Sequence, residues 1–136
     1  MTRFLDTNIL IRYLTNDDPA KAARVLTLLE RIAEGSERVV TTPLVIFETV
    51  FLLQRSYKLP KVVVRERVTA VISLQGLELA EKALCLQALD YYVEQNISYA
   101  DAYNAAWMLV QGLVEVYSWD EEFDRIPELT RVEPRE

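Results

Sequence analysis

Short strand-like runs alternate with longer helical stretches along this chain, and that alternation narrows the fold more than any other feature. Arg3-Phe4-Leu5-Asp6, Val39-Val40-Thr41-Thr42, Leu77-Glu78-Leu79-Ala80, Val114 to Trp119 and Thr130-Arg131-Val132 read as strands. Ile9 to Leu14 is an amphipathic helical piece that Thr7 or Asn8 can cap. Asp18-Pro19 starts a helix that runs to about Glu34 and stops at Gly35. Further helices are expected from Thr42-Pro43 to about Tyr57, Lys61 to Leu74, Glu81 to Gln95 and Ser98 to Gly112, with a short turn over Glu121 to Ile126. The Val62-Val63-Val64 run argues against the second of these, because β-branched side chains disfavour helix. Short strands separated by helices imply βαβ units and a short central parallel sheet covered on both faces, an α/β class with three α/β/α layers. Sites in such sheets form at the carboxyl ends of the strands.

The 136 residues suffice for one domain spanning 1–136. Half are hydrophobic and only 3 are Gly, which favours a helix-rich globule over disorder. The single Cys85 lies in an apolar run and reads as core. There is no His at all, which excludes His-based acid–base chemistry, Ser-His-Asp and Cys-His triads, and the usual zinc sites. No Gly-rich phosphate loop is present. Chemistry must therefore come from carboxylates, hydroxyls, amides, Lys or Arg. The net charge of −6 means that the chain as a whole is not an electrostatic nucleic-acid binder. The N-terminus lacks a secretory pattern and no run approaches the ~20 apolar residues of a membrane span, so a cytoplasmic protein is expected.

Four carboxylates stand out. Asp6 follows the first strand, Glu48 sits within the apolar run Leu44 to Leu53, Asp101 opens the helix after Ser98, and Asp120 follows the strand ending at Trp119. An ionised carboxylate in a low-dielectric site is costly unless a cation or metal compensates it. If the acids converge, they make an all-oxygen site for a hard divalent cation. Each also has a structural reading. Asp6 and Asp120 can cap the elements that follow them, and Asp101 can reach back to the Ser98 amide in a capping box. Glu48 has apolar neighbours on every side, so its structural reading needs a buried partner such as Arg12 or Arg55. Glu121, Glu122 and Asp124 read as a solvated acidic face. Arg55, Lys58, Lys61, Arg65 and Arg67, opposed only by Glu66, form a local basic stretch, which reads as a solvated helix face or, in a protein that handles nucleic acid, as the best candidate for RNA phosphate contact.

Taken in order, Phe4-Leu5-Asp6-Thr7-Asn8-Ile9-Leu10, Phe47-Glu48, Tyr99-Ala100-Asp101-Ala102 and Ser118-Trp119-Asp120-Glu121-Glu122-Phe123 resemble the motifs of the PIN-domain family. The resemblance is greatest to its VapC-type toxins, and it covers the chain nearly end to end. It implies a Mg²⁺- or Mn²⁺-dependent endoribonuclease, the toxin of a toxin–antitoxin pair, blocked by a small antitoxin protein and forming a homodimer. Asp6, Glu48 and Asp101 match the family's three core acids, and Asp120 its more variable fourth. Thr7 or Asn8 and Ser118 match polar positions that support the metal and its waters. Pro127-Glu128-Leu129 departs from the family's usual Pro-Gly-Leu ending, and Asp124 has no counterpart. On this reading Asp6 and Asp101 are the main metal ligands, while Glu48 and Asp120 complete the site and one of them accepts a proton from water. Asp6, Glu48 and Asp101 are expected to bring carboxyl oxygens within about 8 Å of one another. Two other readings compete: a non-catalytic PIN-like scaffold, and an aspartyl-phosphate phosphotransferase or phosphatase. The latter often carries a second Asp two residues after its nucleophile, where this chain has Asn8.

Overall fold

Strand β1 (Arg3–Phe4) pairs in parallel with β2 (Val39–Thr41), and β2 pairs in parallel with β3 (Leu77–Leu79). These strands belong to the first of two compact units, Met1–Lys82 and Ala83–Glu136. The computed structural model describes residues 1–135. Helices α1 (Thr7–Thr15) and α2 (Pro19–Glu34) connect β1 to β2, and α3 (Pro43–Arg55) and α4 (Lys61–Ile72) connect β2 to β3. Parallel neighbours require crossovers of this kind, since a tight hairpin can join only antiparallel strands. The α/β class with parallel strands is the one the sequence implies.

Local chemistry explains most boundaries. The Asp18 carboxylate accepts from the Lys21 amide, Pro19 opens α2, and Gly35 ends it at φ 83°. Thr42 caps α3 through the Val45 amide, with Pro43 next. Helix α3 stops at Arg55, two residues before the expected Tyr57, and Lys58 has a left-handed φ of 54°. Helix α4 forms despite its three consecutive valines, because Val64, Val68, Val71 and Ile72 are buried on one face. That burial outweighs the few tenths of a kcal/mol that each β-branched residue costs.

Residues alternate in and out along β3, with Leu77 and Leu79 buried and Glu78 exposed. Gly76, just before it, donates its amide to the Ile32 carbonyl at 2.8 Å. A Cβ at this position would lie 2.3 Å from the Glu37 carbonyl oxygen, so the close passage of the two backbones requires glycine. At the opposite end of the sheet, the Leu5 amide donates to the Val40 carbonyl at 2.9 Å. The buried Thr41 hydroxyl donates to the Leu5 carbonyl, also at 2.9 Å. These bonds fix the chain immediately before Asp6.

The second unit contains α5 (Lys82–Glu94) from its second residue on, α6 (Tyr99–Val110), β4 (Glu115–Tyr117), a 3-10 turn over Glu121–Arg125, and β5 (Thr130–Val132). Strands β4 and β5 form a two-stranded parallel ladder. Cys85, Ala88, Leu89 and Tyr92 of α5 and Ala102, Ala105 and Ala106 of α6 are buried, so Cys85 is a core residue as expected. Among the described residues, no helix is long and apolar enough to cross a membrane.

Candidate active site

Asp6 lies directly beyond β1 and is itself the N-cap of α1, accepting the Asn8 amide on Oδ2 at 3.3 Å. The cap is therefore Asp6 rather than Thr7 or Asn8. A carboxylate is the better acceptor for the unpaired amides of a first turn, and it sits where the backbone is still extended. Asp6 remains exposed, and Thr7 behind it is buried. The Thr7 hydroxyl oxygen is buried without a hydrogen-bond partner.

Glu48 departs from expectation in its environment. The run around it is apolar, yet Glu48 is exposed. Helix α3 buries Val45, Ile46, Thr49, Val50 and Leu53, and turns Leu44, Glu48, Phe51 and Arg55 outward. These four stand at helical spacing on one face, and the two apolar ones among them, Leu44 and Phe51, hide the periodicity. The buried arginine partner also falls away. Arg12 pairs with Asp17 at 3.4 Å, and the Arg55 guanidinium sits over the Phe51 ring at 5.8 Å.

Asp101 and Asp120 are brought together in the second unit, and a third acid joins them. One carboxylate oxygen from each of Asp101, Asp120 and Glu122 lies within 4.8 Å of the others. Among the described residues, this is the group of three or more acids close enough to share one cation. The backbone explains how they meet. The Ser118 hydroxyl accepts the Asp120 amide at 2.9 Å, and the Asp120 carboxylate accepts the Glu122 amide at 3.0 Å, tightening the turn that follows β4.

Helix α6 supplies the third side. The Ser98 hydroxyl caps it by accepting the Asp101 amide at 3.2 Å. The second half of the expected capping box does not form. The Ser98 amide donates instead to the Glu122 carboxylate at 3.0 Å. Asp101 is thereby released from a capping role, and its Oδ2 is buried with no donor upon it.

The electrostatics follow from this packing. Burial, then hydrogen bonding to Asp120 and Glu122, then their negative charge push the Asp101 carboxyl up to about 7. When protonated it can donate to its neighbours; when ionised it is a half-buried anion facing two others. Asp120 moves the opposite way, held below the usual carboxylate range by the Glu122 amide and by the proton shared with Asp101. Two carboxylates ~5 Å apart repel by roughly 3 kcal/mol at an effective dielectric near 20. A divalent cation relieves that repulsion, and the buried orphan oxygen of Asp101 with two further acid oxygens suits a hard, oxygen-seeking ion.

The sequence reading missed Glu122, assigning it to a solvated face. Its signal is visible only in retrospect, as an acid two residues beyond Asp120 in a turn that Asp120 itself caps. Asp124 and Glu121 do behave as peripheral charges. Asp124 is tied to the Arg131 guanidinium at 3.2 and 3.3 Å, and Glu121 is exposed.

The PIN domain family model matches residues 3–129, and the chain belongs to this family. One relative, a VapC ribonuclease from Aquifex aeolicus (strain VF5), is 21% identical over 124 residues, which is 91% of each chain. A crystal structure of the Mycobacterium tuberculosis toxin VapC20, described as cleaving the Sarcin-Ricin loop, aligns over 97% of this chain and 99% of that one. It is 23% identical with a TM-score of 0.37, a likeness too slight to bear on fold or function.

Proposed function

We propose that this protein is a divalent-metal-dependent endoribonuclease, the toxin of a VapBC-type toxin–antitoxin pair, acting as one PIN domain over residues 1–136. The carrying observation is the Asp101–Asp120–Glu122 cluster, with its buried unpartnered Asp101 oxygen, in a chain of the PIN family. The relationship to a VapC ribonuclease supports the substrate class.

Asp101 and Asp120 would hold Mg²⁺ or Mn²⁺ together with Asp6, and Glu48 would complete the acid set. Such an ion supplies a more acidic water and positive charge beside the phosphodiester. The chain's own contribution is to aim and hold these groups. Ser118 fixes Asp120 through its amide, and Ser98 fixes Asp101 in the same way. Thr7 and Asn8 flank Asp6, Asn8 through its amide bond to the carboxylate. Glu48, which is exposed, would take the proton of the attacking water; Asp120, held below the usual carboxylate range, is the weaker candidate for that step. Arg55, Lys58, Lys61, Arg65 and Arg67 are proposed to include contacts to RNA phosphates. Of these, Arg67 already donates to the Leu14 carbonyl at 2.6 Å, so a phosphate would share it with that carbonyl.

The partners on this reading are RNA, a small antitoxin and a second copy of the chain, in the cytoplasm and without a membrane. The exposed apolar side chains Leu44 and Phe51 on α3 support self-association. The test is cleavage of single-stranded RNA in Mg²⁺ or Mn²⁺, its arrest by chelator, and its loss in Asp6→Asn and Asp101→Asn proteins that remain folded. A wild-type protein that binds the metal yet cleaves no RNA would leave the non-catalytic scaffold as the reading.

A further inference from the structure

A groove of about 630 Å³ runs between α1 and α2 in the first unit. Arg12, Lys21, Arg24 and Arg31 line it, and no carboxylate does. The chain carries 21 acids against 15 bases, so a wall of four cations with no acid opposes the overall charge of the molecule. On α2 the bases lie on one face at intervals of three and seven residues, roughly 4.5 and 10.5 Å along the helix axis. Ile9, Val25 and Leu28 give the groove an apolar floor between them.

The four cations are not equally engaged. Arg12 pairs with Asp17 and Arg31 with Glu37, both at 3.4 Å and both between partly exposed groups. Such pairs are worth ~0–1 kcal/mol and give way readily to a phosphate. Lys21 and Arg24 are exposed and make no ion pair among the described residues. The groove also reaches toward the first strand's end. Asn8 lines it, and the Asn8 amide is bonded to the Asp6 carboxylate. The lining of a basic, apolar-floored groove thus includes a residue bonded to an acid assigned to the cleavage site.

We propose that the α1–α2 groove binds the sugar–phosphate backbone of single-stranded RNA on one side of the scissile bond, with Lys21 and Arg24 as phosphate contacts. This rests on the ribonuclease reading and extends it to a substrate track separate from the Arg55 to Arg67 stretch. The cations meet phosphates, and the apolar floor accepts ribose or base faces. An acidic protein segment would meet the same charges, but the bond between the lining residue Asn8 and Asp6 favours the strand that must pass that acid.

The test is binding of a short fluorescein-labelled single-stranded RNA in EDTA, titrated over a range of KCl, with wild-type cleavage in Mn²⁺ measured in parallel. The Lys21→Gln/Arg24→Gln protein should bind about tenfold more weakly at low salt. Its log K against log salt should flatten by ~1.4, about 0.7 for each phosphate that is no longer neutralised. Arg38→Gln, at the opposite end of β2, should keep the wild-type slope. A wild-type slope in the double variant, with wild-type cleavage intact, overturns the track and leaves the ribonuclease standing. Wild-type protein that neither cleaves nor binds overturns both. If the double variant loses binding to poly-L-glutamate while its RNA slope is unchanged, the groove serves an acidic protein segment and the proposal fails.

Discussion

The Ser98 amide donates to the Glu122 carboxylate at 3.0 Å, across 24 positions of sequence. This one bond ties the start of α6 to the turn after β4. It fills the position that Asp101 would occupy in a capping box, and so leaves Asp101 to face Asp120.

Glu122 should therefore have two separable roles. Glu122→Gln keeps an acceptor for the Ser98 amide and removes one negative charge, so the melting temperature without metal should hold or rise. Mn²⁺ stabilisation should shrink, because bound metal stabilises only the folded state. Glu122→Ala also removes the acceptor and should cost ~0.5–1 kcal/mol. Thermal melts of both variants with and without Mn²⁺ check this, and equal Mn²⁺ shifts in wild type and Glu122→Gln would remove Glu122 from the metal site.

Metal-free stability should fall as pH rises from about 4 to about 7. The folded protein holds the Asp101 proton up to about 7, whereas an unfolded aspartate releases it near 3.9. In that window the folded state binds more protons, so the slope of stability against pH is negative. Asp120, depressed in the fold, acts in the opposite sense and loses its contribution only as pH falls below ~4. Urea unfolding in EDTA at several pH values should show the decline in wild type and a flatter profile in Asp101→Asn. The Asn variant should be the more stable of the two at pH 8, and should cleave no RNA.

Divalent-ion affinity should carry the complementary dependence. Ions compete with the Asp101 proton, so binding should strengthen as pH rises toward and past 7 and should release protons on mixing. Calorimetry in buffers of different ionisation enthalpy measures the released protons directly. Proton release undiminished in Asp101→Asn would assign the effect elsewhere.

Glu48→Gln should change stability by less than ~0.5 kcal/mol, since the side chain is exposed and lacks a buried ionic partner. Cleavage should nevertheless fall steeply if Glu48 belongs to the catalytic acids. A loss of ~3–5 kcal/mol, the cost of stranding a buried charge, would contradict the exposed position. Full cleavage by the folded variant would take Glu48 out of the active site.

The sequence by itself determined the element order, the parallel α/β class and the four acids worth testing. These depend on information a few residues wide: strand-like runs, Asp18-Pro19 and Gly35 around α2, Thr42-Pro43 before α3, and an acid directly after Phe4-Leu5. Tertiary structure decided what each acid faces. Glu48 reads as buried because apolar residues surround it in sequence, but which side of a uniformly apolar helix meets the core is set by packing that periodicity does not encode. Taken alone, Asp101 reads first as a cap, and as a ligand only in company with the other acids. The Ser98 amide bonds instead to Glu122, a residue beyond the reach of any local pattern, so the return bond of a capping box is not made to Asp101. Valine-rich α4 is the same lesson in the backbone, where burial of Val64 and Val68 overrides a local preference against helix. Local rules fix what a segment can form; side-chain partners distant in sequence fix the charge state and exposure on which chemistry depends.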